Sequence, residues 1–142
     1  MQLIDVNVLI YAFREEARDH LRYRAWLENL AASGASFAVP ELVLSSFLRL
    51  VMNESIFKPG TPWRTALAFA EAIRGELGYV RLAPGPRHWD IFVRLCQSAA
   101  ATGNLVADAY LGALGIEHGG EWITADKDFA SLPGVRWRHP LD

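Results

Sequence analysis

The chain has 142 residues, of which 51% are hydrophobic and 21% charged, and its formal net charge at pH 7 is -2. This length and composition are typical of one globular domain with a single core, so we expect one domain over residues 1–142 and exclude disorder. The charge balance gives no global cationic field, and any site for a polyanion must therefore be local.

The cysteine content and the hydropathy pattern indicate a cellular location. Cys96 is the one cysteine and cannot form an internal disulfide, and its apolar helical surroundings favour a buried, inert thiol. The first residues lack a positively charged leader, Asp5 interrupts their apolar run, and no stretch approaches the ~20 apolar residues of a membrane span. We therefore expect a cytoplasmic protein.

Short apolar strands alternate with amphipathic helices along the chain. Pro40 and Glu41 suit the first turn of a helix, and Thr61 is a candidate cap for the next one. In chain order, we predict a strand at 2–4, a helical turn after Asn7, a helix at 20–32, a strand at 37–39, helices at 40–53 and 61–73, a strand at 80–82, helices at 88–101 and 104–118, and strands at 122–124 and 135–137. This alternation favours a three-layer α/β/α fold with a short, mainly parallel sheet flanked by helices.

Several acidic side chains fall where a parallel sheet forms a ligand site, beyond the carboxyl ends of its strands. Asp5, Glu41 and the pair Asp126 and Asp128 lie at or near such ends. Asp108 interrupts an otherwise apolar face of its predicted helix. Carboxylates that converge in one cleft repel each other, and a divalent cation relieves that repulsion, with oxygen ligands favouring Mg²⁺ or Mn²⁺. These residues predict an acidic metal pocket.

Each of these acids alone also fits an ordinary structural role. Asp5 and Glu41 suit helix N-termini, Asp108 can pair with an arginine, and Asp126 can form an Asx-turn. The sequence contains no glycine-rich phosphate or dinucleotide loop, no nucleophile elbow and no zinc-ligand spacing. We expect surface or capping roles for the scattered histidines, which are His20, His88, His118 and His139.

Three segments carry a family resemblance that covers nearly the whole chain. They read Leu-Ile-Asp-Val-Asn-Val-Leu-Ile-Tyr-Ala at 3–12, Asn-Leu-Val-Ala-Asp-Ala-Tyr-Leu at 104–111 and Trp-Ile-Thr-Ala-Asp-Lys-Asp-Phe at 122–129. In this order and at this length they resemble the PIN-domain ribonucleases, and among them the VapC toxins of prokaryotic toxin-antitoxin modules. The resemblance implies a Mg²⁺-dependent RNA endonuclease, with Mn²⁺ as a possible substitute.

The resemblance also implies roles for particular residues. Asp5, Asp108 and Asp126 look like the family's metal-binding and catalytic acids, with Asp5 and Asp108 the best-matched pair. Asn7 and Thr124 match polar positions that line the same pocket. Bound Mg²⁺ would orient the scissile phosphate, lower the pKa of an attacking water and stabilise charge on the leaving oxygen.

The roles of two further acids depend on how closely this sequence follows the family pattern. Asp128 lies where the family often has a second acid in the last loop, and we expect a supporting role for it. Most VapC-like sequences place a glutamate in the helix after the second strand, but Ser46 occupies that position here. Glu41 lies roughly 7.5 Å earlier along a helix axis, nearer the strand end. We expect Glu41 to substitute as a catalytic acid.

The partners implied by the resemblance are an RNA substrate, a cognate VapB-like antitoxin that blocks the pocket, and a second copy in a homodimer. An anionic chain that approaches an acidic pocket needs flanking cations. Arg14, Arg49 and Lys127 lie closest in sequence to the proposed ligands and are the candidate RNA-binding residues. The RNA target does not follow from these residues.

Two other functions remain open. Ser46 in place of the glutamate, together with the lack of a basic surface, also fits a catalytically idle PIN-like module that binds RNA or protein. A phosphatase with an aspartyl nucleophile needs Asp-x-Asp after the first strand, whereas the sequence has Asn7 two residues after Asp5. Divalent-ion binding that Asp5→Asn removes separates the nuclease from the idle module.

Overall fold

The computed structural model describes residues 1–142. The strands are β1 (Gln2–Ile4), β2 (Phe37–Ala38), β3 (Glu121–Ile123) and β4 (Trp137–Arg138). The α-helices are α1 (Val6–Phe13), α2 (His20–Ser33), α3 (Glu41–Val51), α4 (Trp63–Arg74), α5 (His88–Ser98) and α6 (Asn104–His118), and a 3₁₀ helix covers Lys127–Ser131. Two helices follow β1 and four follow β2, so the chain is a mixture of short strands and helices, as the hydrophobic pattern predicts.

The four strands form one parallel sheet in the order β2-β1-β3-β4. Leu3 of β1 pairs with Ala38 of β2 on one side and with Trp122 of β3 on the other. Because every pair is parallel, the carboxyl ends of the strands lie at one edge of the sheet. Asp5 directly follows β1, and Thr124 directly follows β3. The expected α/β fold with a parallel sheet is confirmed.

Helices cover both faces of the sheet. Neighbouring strand residues point to opposite faces, and Leu3 and Ile4 are both completely buried. Between α1, α3 and α4, the rings of Phe13, Phe47 and Phe69 lie 4.8 to 5.3 Å apart, centroid to centroid. This packing fixes α1, whose first turn adjoins Asp5. None of the helices is both long and apolar enough to span a bilayer.

The prediction of a strand at 80–82 is wrong. Tyr79 forms one isolated bridge to Phe37, and the Val80 N–H donates to the Phe37 carbonyl at 2.8 Å. Pairing then stops, and Pro84 follows, which lacks the N–H that a longer ladder needs. The segment therefore lies along the edge of β2 without extending the sheet as a strand.

Two predicted helix boundaries also need correction. α5 ends at Ser98 instead of residue 101, because Ala100 adopts a left-handed φ of 48°. Thr61 does not cap α4, whose N-cap residue is Pro62. The Thr61 hydroxyl instead accepts a hydrogen bond from Arg14 Nη1 at 3.0 Å. Thr61 thus ties the end of α1 to the loop that precedes α4.

Candidate metal centre

Asp5 is buried at the carboxyl end of β1, where it caps α1. Its Oδ1 accepts from the Val6 N–H at 2.7 Å. Its Oδ2 accepts from Thr124 Oγ1 at 2.7 Å and from Asn7 Nδ2 at 3.1 Å. A carboxylate offers about four acceptor positions, so these bonds leave one for a further ligand. Asp5 therefore combines the capping role with a place at the sheet edge.

Thr124 and Asn7 join the ends of β1 and β3. The buried Thr124 hydroxyl donates to Asp5 and accepts from Asn7 Nδ2 at 3.1 Å and from the Asp126 N–H at 3.0 Å. Asn7 Oδ1 accepts from the Ala125 N–H at 3.0 Å. The loop after β3 is thus bonded to the first turn of α1, and the backbone position of Asp126 depends on this bonding.

Three carboxylates converge at the same edge. Asp126 caps the 3₁₀ helix, and its Oδ1 accepts from the Asp128 N–H at 2.9 Å. Asp108 reaches the same place from α6. Asp108, Asp126 and Asp128 each offer a carboxylate oxygen, and these oxygens lie within 4.8 Å of one another. The first two residues are half-buried and Asp128 is exposed, so the cluster opens to solvent.

Burial and neighbouring carboxylates raise the pKa values of Asp108 and Asp5. The pKa of Asp108 is raised to about 7, first by burial and then by the negative charges of Asp126, Asp5 and Asp128. Burial likewise raises the pKa of Asp5, although its hydrogen bonds oppose the effect. No arginine, lysine or histidine forms an ion pair with any of the four acids. Their repulsion is unrelieved within the chain, which is the electrostatic character of a cation site.

The donor set fits Mg²⁺ or Mn²⁺. Every ligand atom in the group is a carboxylate oxygen, and neither histidine nor cysteine contributes. In an octahedral Mg²⁺ site the ligand distance is about 2.1 Å, so oxygens on opposite sides of the ion are about 4.2 Å apart. The spacing of at most 4.8 Å therefore needs only small side-chain rotations to close on one ion.

Glu41 lies apart from this cluster. Its Oε2 is 3.2 Å from Arg74 Nη1 and its Oε1 is 3.3 Å from Arg81 Nη2. Both arginines follow α3 in the chain, and the side chain of Glu41 is 51% exposed. The structure therefore does not bring Glu41 together with the converging acids, in contrast to the expected replacement of the glutamate missing at Ser46, because two arginines bind its carboxylate.

Arg14, one of the three candidate RNA-binding residues, is committed to the fold. Its guanidinium is 13% exposed, lies 4.5 Å from the centroid of the Phe57 ring, and donates to the Pro59 carbonyl at 3.3 Å as well as to Thr61. These contacts hold the 57–61 loop against the end of α1. They leave Arg14 no free face for a phosphate.

Arg49 and Lys127 have different surroundings. Both are exposed, and neither forms an ion pair within the chain. Lys127 lies between Asp126 and Asp128 in sequence, directly beside the carboxylate cluster. Lys127 is therefore the candidate cation nearest to the acids in the sequence.

Two of the histidines are buried, which corrects the expectation of surface or capping roles. His20 is 8% exposed, and its Nδ1 lies 2.8 Å from the Tyr11 carbonyl oxygen. His88 is 3% exposed, and its Nε2 lies 2.8 Å from the Tyr110 carbonyl oxygen. Each ring contacts the backbone of another helix, 9 positions away for His20 and 22 positions away for His88.

Comparison with known proteins identifies the family of the chain. The profile of the family described as PIN domain matches residues 3–135. The chain is 41% identical to Ribonuclease VapC43 of Mycobacterium tuberculosis over 142 residues, which are 100% of this chain and 97% of that protein. It is 42% identical to Ribonuclease VapC25 of the same organism over 140 residues, which are 99% of each chain. The chain belongs to the PIN-domain family, among its VapC ribonucleases.

Solved structures share the fold at lower sequence identity. VapBC2 from Rickettsia felis has a TM-score of 0.70 at 15% identity, with 97% of each chain covered. VapBC-1 from nontypeable Haemophilus influenzae has a TM-score of 0.71 at 11% identity, with 99% of this chain and 98% of that chain covered. A structure described as a toxin-antitoxin complex from Klebsiella pneumoniae has a TM-score of 0.59 at 22% identity, covering 99% and 98%.

Proposed function

We propose that the protein is a Mg²⁺-dependent endoribonuclease that acts as the toxin of a VapBC-type toxin-antitoxin module in the cytoplasm. The convergence of Asp108, Asp126 and Asp128 at the carboxyl edge of the sheet is the observation that carries the proposal. The names of the relatives, which are VapC ribonucleases at about the same length, support the choice of RNA as the substrate.

The residues divide the work between holding a cation and orienting its ligands. Asp108, Asp126 and Asp128 would hold Mg²⁺ or Mn²⁺, and Asp5 would add its remaining acceptor position. The bound ion supplies Lewis-acid activation of a water and stabilisation of the leaving oxygen. Thr124 fixes Asp5 and the backbone of Asp126 at once, so these two acids are oriented before any substrate arrives.

The half-buried Asp108 also holds a proton near neutral pH in the metal-free site. Because its pKa is about 7, Asp108 keeps a proton more readily than an ordinary aspartate does, and a cation that binds the carboxylate must displace that proton. Lys127 and Arg49 are exposed and unpaired, and they would meet the phosphates of an RNA strand that enters the site.

The proposed partners are a cognate VapB-like antitoxin and a second copy of this chain. The structures with the same fold are described as VapBC or toxin-antitoxin complexes, which supports the antitoxin. The second copy rests on the resemblance to the VapC toxins, which implies a homodimer.

Cleavage of total cellular RNA by the purified protein tests this proposal. We expect discrete fragments with Mg²⁺ or Mn²⁺ that disappear with EDTA and in Asp108→Asn and Asp126→Asn. The matched control is Asp90→Asn, which removes the same charge from an exposed acid in the first turn of α5 and should leave cleavage unchanged. Fragments that persist in EDTA, or in both cluster variants, would contradict the proposal.

A catalytically idle PIN-like module that binds RNA or protein is the second candidate. Two observations favour it: Ser46 stands at the family's glutamate position, and Glu41 is held in ion pairs away from the cluster. Such a module would bind Mn²⁺ or RNA without cutting. Binding of both with no cleavage of any RNA fraction would support it over the nuclease.

A further inference from the structure

Two buried side chains donate hydrogen bonds to consecutive carbonyls in the middle of α6. His88 Nε2 lies 2.8 Å from the Tyr110 carbonyl oxygen, and since a carbonyl only accepts, Nε2 carries the proton. Trp122 Nε1 donates to the Leu111 carbonyl at 2.9 Å. Carbonyls at these places in a helix already accept an N–H from the next turn, so each receives an additional bond on its second lone pair.

The two donors hold α6 from different sides. His88 is the first residue of α5, whereas Trp122 is the middle residue of β3. Consecutive residues of an α-helix point about 100° apart, so the bonds restrain both the rotation of α6 and its position along its axis. Gly115 permits the approach of the indole, because a Cβ there would lie 2.8 Å from Trp122 Nε1.

Asp108 depends on this restraint more than Asp5 and Asp126 do. The carboxylates of Asp5 and Asp126 each accept hydrogen bonds that orient them. No hydrogen bond reaches the Asp108 carboxylate, and only burial and neighbouring charges shift its pKa. Asp108 precedes the anchored carbonyls by two and three residues, or about 3 to 4.5 Å along the axis. Its position in the cluster is therefore set by the position of α6.

We propose that His88 and Trp122 are positioning residues that set Asp108 at the distance from Asp126 and Asp128 that one divalent cation needs. The inference rests on the proposed metal-dependent function. It assigns the two residues no contact with metal or RNA. They act through the backbone of α6, and the loss of either N–H would let Asp108 move while Asp5 and Asp126 keep their own hydrogen bonds.

The competing interpretation is that His88 only packs. Its ring lies 4.4 Å from the Tyr110 ring and 6.4 Å from the Phe92 ring, centroid to centroid. Two substitutions separate packing from hydrogen bonding. His88→Phe keeps an aromatic ring and removes the donor, whereas His88→Gln removes the ring and keeps a donor near the place of Nε2. Trp122→Phe removes the other donor, with a larger loss of stability because the indole is fully buried.

The experiment has three readouts, all taken well below the Tm of each variant. Calorimetry gives the Mn²⁺ affinity, and RNA cleavage gives kcat and KM. NMR gives the ¹³C shift of the Asp108 carboxyl carbon in the metal-free protein. We expect His88→Phe to weaken Mn²⁺ binding about tenfold, lower kcat, leave KM unchanged and move the Asp108 signal. His88→Gln should restore all of these. The control Tyr79→Phe loses a side-chain bond to the Val39 carbonyl, 3.1 Å long, and should change Tm alone.

The inference is overturned if His88→Phe lowers Tm but leaves both the Asp108 signal and the Mn²⁺ affinity unchanged. It is also overturned if His88→Gln behaves no better than His88→Phe. A wild-type protein that does not bind Mn²⁺ would instead contradict the proposed function. In that case the Asp108 signal in the metal-free variants still decides whether His88 positions the carboxylate.

Discussion

Thr124 Oγ1 lies 2.7 Å from Asp5 Oδ2, although 119 positions separate the two residues in the sequence. The hydroxyl is completely buried and also accepts the Asp126 N–H, so one side chain connects two acids of the candidate metal centre. The parallel pairing of β1 with β3 brings these residues together, because Ile4 pairs with Ile123 and each of the two residues directly follows its strand.

Thr124→Val keeps the shape of the side chain but leaves the Asp126 N–H without its partner. We expect a loss of about 1–3 kcal/mol in the free energy of unfolding, together with a large fall in cleavage because Asp126 loses its orientation. Thr124→Ser keeps the hydroxyl and should retain most of the activity. Denaturant unfolding and RNA cleavage measure the two effects, and equal activity in the Val and Ser variants would contradict this role.

The raised pKa of Asp108 makes the stability of the metal-free protein depend on pH. Its folded pKa is about 7 against an ordinary value of 3.8, so its ionisation opposes folding increasingly as pH rises through this interval. We expect Asp108→Asn to raise Tm above pH 7, by only a few degrees because solvent screens a half-exposed group. The gain in Tm should be clearly smaller near pH 5, where Asp108 is still largely protonated in the folded protein. Thermal unfolding in EDTA measures this, and a Tm gain that is equal at both pH values would contradict the assignment.

Glu41 should be dispensable for catalysis. Its ion pairs with Arg74 and Arg81 are partly exposed, so we expect Glu41→Gln to cost at most about 1 kcal/mol of unfolding free energy. We also expect it to leave cleavage near the wild-type rate, in contrast to Asp108→Asn. Parallel kinetics of the two variants make the comparison. Loss of cleavage in Glu41→Gln without loss of Tm would restore Glu41 as a catalytic acid.

Lys127 should contact the RNA backbone beside the acids. Lys127→Gln is expected to raise KM with little change in kcat, and to reduce the slope of log affinity against log salt by about 1. Binding of a non-cleaved RNA at several salt concentrations measures the slope. Lys58→Gln is the matched control, because Lys58 is the other lysine of the chain. It lies in the 57–61 loop, which Arg14 binds and which contains none of the candidate metal ligands. An unchanged salt slope in Lys127→Gln would exclude a phosphate contact.

Much of this site can be predicted from the sequence, because chain topology places it. Once short apolar strands are taken as parallel, Asp5 and Asp126 must approach one edge, and Asp108 is conspicuous on an apolar helix face. The convergence of Asp108, Asp126 and Asp128 agrees with that expectation in position. The family resemblance implies only a supporting role for Asp128, but its carboxylate lies in the group with Asp108 and Asp126. The first turn of the 3₁₀ helix places Asp128 beside Asp126, because the Asp128 N–H donates to the Asp126 carboxylate.

The rest depends on contacts that local patterns do not encode. Glu41 is at the expected end of β2, but arginines 33 and 40 positions away bind its carboxylate. Arg14 directly follows α1 in sequence, yet its guanidinium binds the 57–61 loop. His88 is at a helix start, as a capping histidine would be, but its ring turns inward to the backbone of α6. Each outcome is set by long-range packing.

Titration of Mn²⁺ into the metal-free protein by calorimetry tests the central claim most directly. We expect binding by the wild type and by Asp90→Asn, release of a proton on binding below about pH 7 because Asp108 must ionise, and loss of binding in Asp108→Asn and Asp126→Asn. Absence of binding in the wild type, or binding that survives both cluster substitutions, would contradict the account of these acids as a metal centre.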